Sequence, residues 1–303
     1  TRTDSSAASD VYKRQDAKLA MADASYQWID IDPFGSPVPF IDSAIQSLAR
    51  TGVLEVTATD TAALTGSSLS SQKRRYAAQG IVDDYAHDDA IRVLLGMIAK
   101  TAAMHDRIIK PILSLFDGHH VRVSVLIKTS KEAASNFQEQ LGYRLRTKDV
   151  PYKFIKYPSA DQIKSASGPL WIGPLMDKEI AGRLTEECAI QTCLPTSDEL
   201  EELTAKGLAW SDKDVEYATR EMIRSVKHIS SAADLLSRQH MLLSLNSMPR
   251  LAGTKGAPKM DDVISDLIEL GYSAARYPDM EPMFVTDASF DDVISIFRKY
   301  HYD

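Results

Sequence analysis

Cysteine is nearly absent: Cys188 and Cys193 are the only two in 303 residues. Two thiols cannot build a disulfide framework, and their scarcity fits a reducing, cytoplasmic setting. They also fall short of a four-ligand zinc site, so no metal is expected. No apolar run approaches the roughly 20 residues needed to cross a bilayer. The first fifteen residues lack the apolar stretch of a signal peptide, so no membrane partner is expected. None of the 14 glycines sits in a strand, glycine-rich loop and helix of the kind that cradles a nucleotide. Internal repeats and low-complexity tracts are missing too.

What is present is an ordinary globular composition, 44% hydrophobic and 25% charged, on a chain long enough for two domains. The net charge of −7 is unevenly spread. Residues 92–160 hold 12 Lys/Arg against 5 Asp/Glu, whereas residues 161–303 hold 15 against 24. A basic segment between acidic ones suits a phosphate-contacting surface, and equally a solvated face.

Residues 1–15 are polar and aperiodic and read as a non-native tail. Trp28 to Asp32 forms a short apolar strand that ends in acid, proline and glycine. Phe40, Ile41, Ala44, Ile45 and Leu48 then recur at helical spacing, with Gly52 as the expected helix stop. Val53 to Thr59 is a second buried strand, giving a βαβ unit. Residues 62–80 read as a long loop ending in Lys73-Arg74-Arg75-Tyr76. Ala86 to His105 is a helix, expected to continue over Ile108 to Leu115. His119 to Lys128 alternates as a strand. A domain boundary is expected near residue 130, giving 16–130 and 131–303. Strands are expected at Tyr143–Lys148 and Tyr152–Tyr157, and Gly168 to Leu175 reads as a stiff turn. Helices follow at 177–189, 197–206, 211–228, 230–245, 258–270 and 289–300. A hairpin of 273–276 with 283–286 suggests a winged-helix-like end.

Asp32-Pro33-Phe34-Gly35 lies where ligands bind in parallel sheets, at the carboxyl end of a strand. An exocyclic amine on a base is a poor nucleophile. A carboxylate that accepts its hydrogen bond can also take its proton. The proline carbonyl can accept the second amine hydrogen, and an aromatic ring can stack on an extruded base. The tetrapeptide alone fits a strand-ending turn with a proline stop equally well.

The motif has company in order along the chain. Asp30-Ile31-Asp32-Pro33-Phe34-Gly35-Ser36-Pro37 resembles the catalytic motif of the tRNA guanine-26 N2-dimethyltransferases. Thr57-Ala58-Thr59-Asp60-Thr61-Ala62, Arg75-Tyr76, Tyr85-Ala86-His87-Asp88 with Arg92, and His105-Asp106-Arg107 are similar to later parts of that family. So are Gly168 to Leu175, and Gly271-Tyr272 with Arg276 and Thr286-Asp287-Ala288. The set is closest to archaeal forms and covers about residues 16–290. The resemblance implies an α/β protein: a partial Rossmann-like class I methyltransferase sheet, followed by a mainly helical α+β domain that binds tRNA. It implies S-adenosylmethionine as cofactor, Asp32 as base, and Pro33 and Phe34 as holders of the guanine. Asp16-Ala17 would meet the adenine end of the cofactor, with Gln15 where Asn is usual. Arg75, Tyr76, His87, Arg92, Arg107 and Arg276 would contact tRNA.

Two departures from the family shape the expectations. Its cofactor-binding glycine loop and ribose-binding acid belong upstream of Asp16, so the chain reads as N-terminally truncated and a weak binder of S-adenosylmethionine. Residues 129–168 lack the cysteines of the family's zinc site. Methylation of another amine, adenine N6 or a glutamine amide, and a non-catalytic tRNA-binding fragment are the alternatives.

Overall fold

The computed structural model describes residues 16–207, 211–238, 241–278, 280 and 282–300. The tail and Gln15 lie outside the described residues. Helix α1 (Ala17–Ala22) is capped by Asp16, whose Oδ1 accepts from the amides of Lys18 and Leu19. Strand β1 (Tyr26–Ile31) buries Ile29 and Ile31 and turns Trp28 and Asp30 outward, as its period of two requires. Helix α2 (Val38–Ser47) buries Ile41, Ala44 and Ile45 along one stripe. Strand β2 (Leu48–Ala58) runs parallel to β1, with Ile31 opposite Val56.

Gly52 is not a helix stop. It lies inside β2, opposite an irregularity in β1, where a Cβ would meet the Gln27 carbonyl at 3.0 Å. Close approach of a neighbouring backbone is what selects glycine there. The expected loop over 62–80 holds two helices, α3 (Thr61–Leu64) and α4 (Leu69–Tyr76). Its Ser/Ala/Gly composition conceals buried anchors at Leu64, Gln72 and Tyr76, and Gln72 donates to the Leu64 carbonyl at 2.8 Å.

Helix α5 (Ala86–Met104) is buried over most of its circumference. The segment after it is a strand, β3 (Arg107–Phe116), instead of a continued helix. Pro111 is tolerated because β3 is an edge strand and its register slips between Pro111 and Leu113. Strand β4 (Val121–Thr129) completes a sheet of order β1-β2-β4-β3, in which β4 is antiparallel to both neighbours.

Helix α6 (Lys131–Ser135) and a 3₁₀ turn lead to β5 (Leu141–Arg146) and β6 (Tyr152–Ile155). After α7 (Ala160–Ile163) comes β7 (Ala166–Trp171), so the expected stiff turn begins as a strand. These three strands pair antiparallel in the order β6-β5-β7. Next come α8 (Lys178–Ala181), α9 (Glu186–Cys193) and α10 (Ser197–Ala205). Helix α11 (Asp212–Leu236) is continuous where two helices were expected. Its buried stripe Val226, Ile229, Ala233 and Leu236 runs without a break.

The last unit contains β8 (Met241–Ser244), α12 (Met248–Ala252), α13 (Met260–Glu269), β9 (Ala274–Arg276), β10 (Met283–Thr286) and α14 (Phe290–Lys299). Its sheet order, β8-β10-β9, has the topology of a winged helix.

Two cores hold the molecule. The larger runs from Ile29 through α5 and Trp171 to Val285; the smaller joins β8, β10 and α12–α14. Between the sheets lies a buried ionic cluster. Arg144, fully buried, donates to Asp89 (2.8 and 2.7 Å) and to Asp83 (3.1 and 2.9 Å). Arg92 donates to Asp88 at 2.6 Å, and the Tyr277 hydroxyl donates to the other oxygen of Asp88 at 3.1 Å. Among the described residues, no helix is long and apolar enough to cross a membrane.

Candidate functional site

Strands β1 and β2 end side by side, and the residues just beyond them form the site. After Ile31 the chain turns through Asp32, Pro33, Phe34 and Gly35 before α2. Asp32 is exposed, and the Phe34 ring is fully exposed, with 105% relative accessibility. Gly35 has φ +88°, a left-handed conformation that a residue with a Cβ rarely adopts, which explains the glycine of the motif. Its amide donates to the Thr59 hydroxyl at 2.6 Å, and its carbonyl accepts from the Thr59 amide at 3.0 Å. The turn is thus tied to the residue that follows β2.

A second set of bonds lies behind it. The Tyr76 hydroxyl donates to Asp60 Oδ1 at 2.7 Å and lies 3.1 Å from the Ser36 hydroxyl. Arg75 donates to Asp60 Oδ2 at 2.9 Å. Asp60 stands at the start of α3, but its side chain caps nothing there. Burial, reinforced by the Asp60 carboxylate, pushes the Tyr76 hydroxyl well above the usual tyrosine range, so it stays protonated and donating.

Outward from β1, Arg122 donates to Asp30 at 2.9 Å and to the Thr57 hydroxyl at 2.6 Å. Burial opposes its charge, but Asp30, Glu55 and Asp32 outweigh that and raise its basicity. Nothing in the local sequence marks Arg122. Its role depends on the pairing of β4 with β2.

Beside Asp32 is a cavity of about 430 Å³, bounded by Ala17, Ala20 and Met21 of α1, by β1 and by Phe40. Ala17 therefore shares one cavity with Asp32 and Pro33, while Asp16 spends Oδ1 on capping α1. Gly35 is the only glycine in the turn between β1 and α2, so no glycine-rich loop follows that strand. A larger cavity of about 880 Å³ lies along β3 near Arg107. It is at the opposite end of the sheet from Asp32, and several of its charges are already paired, Lys110 with Asp177 and Glu139 with Lys156. Of the two, the smaller cavity is the one that Asp32 and Pro33 line. Among the described residues, no three His, Cys, Asp or Glu side chains converge as a metal site would require.

The residues expected to contact tRNA do not form one surface. Arg75 is exposed beside the turn. Tyr76 is 4% exposed and Arg92 5%, so neither is placed to meet a macromolecule. Arg92 is occupied by Asp88 and the carbonyls of Trp171 and Gly173. Arg107 donates to the Leu48 and Ala49 carbonyls, bracing the start of β2 at the far end of the sheet. Arg276 bonds Asp261 in the last unit. A run of charge in sequence does not say which charges are spent inside.

His87 is exposed at the start of α5, with its ring stacked on Phe116 at 4.1 Å between centroids. Burial of that face holds its imidazole below the ordinary range. A base with a depressed folded pKa contributes stability that is present above its unfolded pKa and lost as pH falls from there through its folded pKa. Replacing His87 with Phe should therefore reduce the loss of stability between pH 7 and pH 5. Urea midpoints at the two pH values test this, and a pH dependence equal to that of the native protein counts against it.

The family model described as N2,N2-dimethylguanosine tRNA methyltransferase matches residues 4–298. A tRNA (guanine(26)-N(2))-dimethyltransferase of Thermococcus kodakarensis is 30% identical over 292 residues, covering 95% of this chain and 69% of that protein. The enzyme of the same name from Thermoplasma volcanium is 37% identical over 164 residues, 54% of this chain and 45% of its own length. The structure of Trm1 from Pyrococcus horikoshii with S-adenosyl-L-methionine superimposes with a TM-score of 0.72 at 28% identity, over 93% of this chain and 69% of that one. The α/β methyltransferase fold is thereby established, and the chain belongs to the N2,N2-dimethylguanosine tRNA methyltransferase family.

Proposed function

We propose that this chain methylates the exocyclic N2 amine of guanine 26 in tRNA, with S-adenosylmethionine as methyl donor. The observation that carries the reading is the turn after β1: an exposed carboxylate at Asp32 beside a fully exposed aromatic ring at Phe34, on a backbone held by Thr59. Family membership supplies the substrate and cofactor class.

The residues around the smaller cavity fit the cofactor. Ala17, Met21 and Phe40 offer an apolar wall to a purine, and Asp30 and Asp32 offer carboxylates to a cation. Bound S-adenosylmethionine would supply an electrophilic methyl group there. The protein's own part is to bind, orient and deprotonate. A guanine extruded from the tRNA stack would lie on Phe34. The Asp32 carboxylate would accept a hydrogen bond from N2, and the Pro33 carbonyl would accept the other. Asp32 would take the N2 proton given up on methylation. Arg75, exposed beside the turn, would meet a backbone phosphate.

Phe34→Ala removes the stacking surface without touching the core. Stacking is worth about 1–3 kcal/mol per base, so kcat/KM for tRNA should fall roughly 10- to 100-fold. The assay is methyl incorporation into transcripts carrying guanine or adenine at position 26. Incorporation into the adenine transcript, or an unchanged rate for Phe34→Ala, would sink the reading.

A further inference from the structure

The Phe34 ring is fully exposed and packs against nothing that could orient it, so its direction is inherited from the backbone on either side. That backbone is gripped at two successive residues. Thr59 closes a two-bond ring on Gly35, accepting from its amide and donating to its carbonyl. Ser36 is held by Tyr76. A carboxylate can only accept, so the Tyr76 proton goes to Asp60, and the Ser36 hydroxyl must donate to the Tyr76 oxygen. Both Asp60 oxygens are used, one by Tyr76 and one by Arg75. Asp60 has an 8% exposed side chain and Tyr76 is 4% exposed, so the strut is built into the protein rather than lying loose at its surface.

We infer that Thr59, Tyr76 and Asp60 are positioning residues. They immobilise Gly35 and Ser36 so that Phe34 is presented as a rigid platform and Asp32 stays in register with the base upon it. The inference rests on the proposed function and adds the residues that set its geometry. A platform already ordered before the base arrives loses little freedom on binding. A reacting group displaced by about 1 Å can cost as much as 100-fold in rate. Arg75 ties the same strut to the surface, so the group proposed to meet phosphate and the Tyr76 hydroxyl that braces the turn share one carboxylate.

The test uses the whole chain with Thr59→Val, Thr59→Ser and Tyr76→Phe. Valine keeps the shape of threonine and removes only the hydroxyl. Serine keeps the hydroxyl and serves as the rescue. Amide exchange over residues 33–38 reads the clamp. A tRNA transcript with 2-aminopurine at position 26 reads stacking on Phe34, as quenching that Phe34→Ala must abolish. Thr59→Val and Tyr76→Phe should speed exchange of this segment at least tenfold. They should also weaken the quench and lower kcat roughly tenfold, with KM for tRNA within twofold. Thr59→Ser should restore all three. Native exchange in Thr59→Val, or faster exchange with native quench and kcat, overturns the inference. If the native protein neither quenches nor methylates, the proposed function fails on its own account, and with it the positioning role, whatever the exchange shows.

Discussion

Asp32→Asn should lower methyl transfer by about 10²- to 10⁴-fold, the usual worth of a positioned base, while tRNA affinity stays within a few-fold. The amide matches the carboxylate in shape and can still accept a hydrogen bond, but it cannot take the N2 proton. The loss should therefore fall on kcat and leave KM nearly alone. Asp32 is exposed at the end of β1 and makes no hydrogen bond to any of the described residues, so the variant should unfold at the native midpoint. Single-turnover transfer with excess protein separates chemistry from product release. A native rate in Asp32→Asn would remove Asp32 as the base and leave Phe34 as the only support from the turn.

Arg144→Met should destabilise the protein by about 3–5 kcal/mol, the cost of leaving a buried charge unpaired. Arg144 is fully buried, and Asp89, which it bonds twice, is buried with it. The carboxylates of Asp89 and Asp83 outweigh the burial that opposes its charge and raise its basicity above the ordinary arginine range. Removing the guanidinium leaves Asp89 on α5 buried without its counter-charge, while Asp83 keeps Arg146 and the Tyr85 amide. The cluster lies at the junction of α5, β5 and the segment before α5, so the loss should reach the whole larger core. Urea denaturation followed by far-UV circular dichroism measures the effect. Arg144→Met with Asp89→Asn should recover part of it, because asparagine leaves no stranded charge. A loss below about 1 kcal/mol would show the cluster to be energetically neutral, as some exposed pairs are.

The element misreadings share a cause. Ile108 to Leu115 alternates poorly around Pro111, so its pattern suits a helix as well as a strand. Its fate as β3 is decided by pairing with β4 at the sheet edge, where a proline opposite Val125 and next to a register slip is tolerated. Residues 62–80 look like a loop because serine and alanine dominate them, yet Leu64, Gln72 and Tyr76 have buried places to fill. The stretch read as a helix to residue 245 ends as β8 because β10 offers it a strand partner. Tyr76 and Arg92 have the residue types of RNA contacts and none of the exposure.

The motif proposed to carry the chemistry is a local feature of the sequence. Acid, proline, aromatic and glycine in a row after an apolar strand suit the roles proposed for Asp32 and Phe34, and resemblance elsewhere in the sequence favoured them over a plain turn. Side-chain type and strand-end position are properties of adjacent residues, and they survive in one dimension. Only the tertiary structure decided what holds that turn in place. Thr59 lies 24 residues from Gly35, and Tyr76 lies 40 from Ser36. Those contacts exist because β2 lies parallel to β1 and α4 folds back behind them. Their partners are chosen by packing over that distance, and no spacing along the chain encodes it.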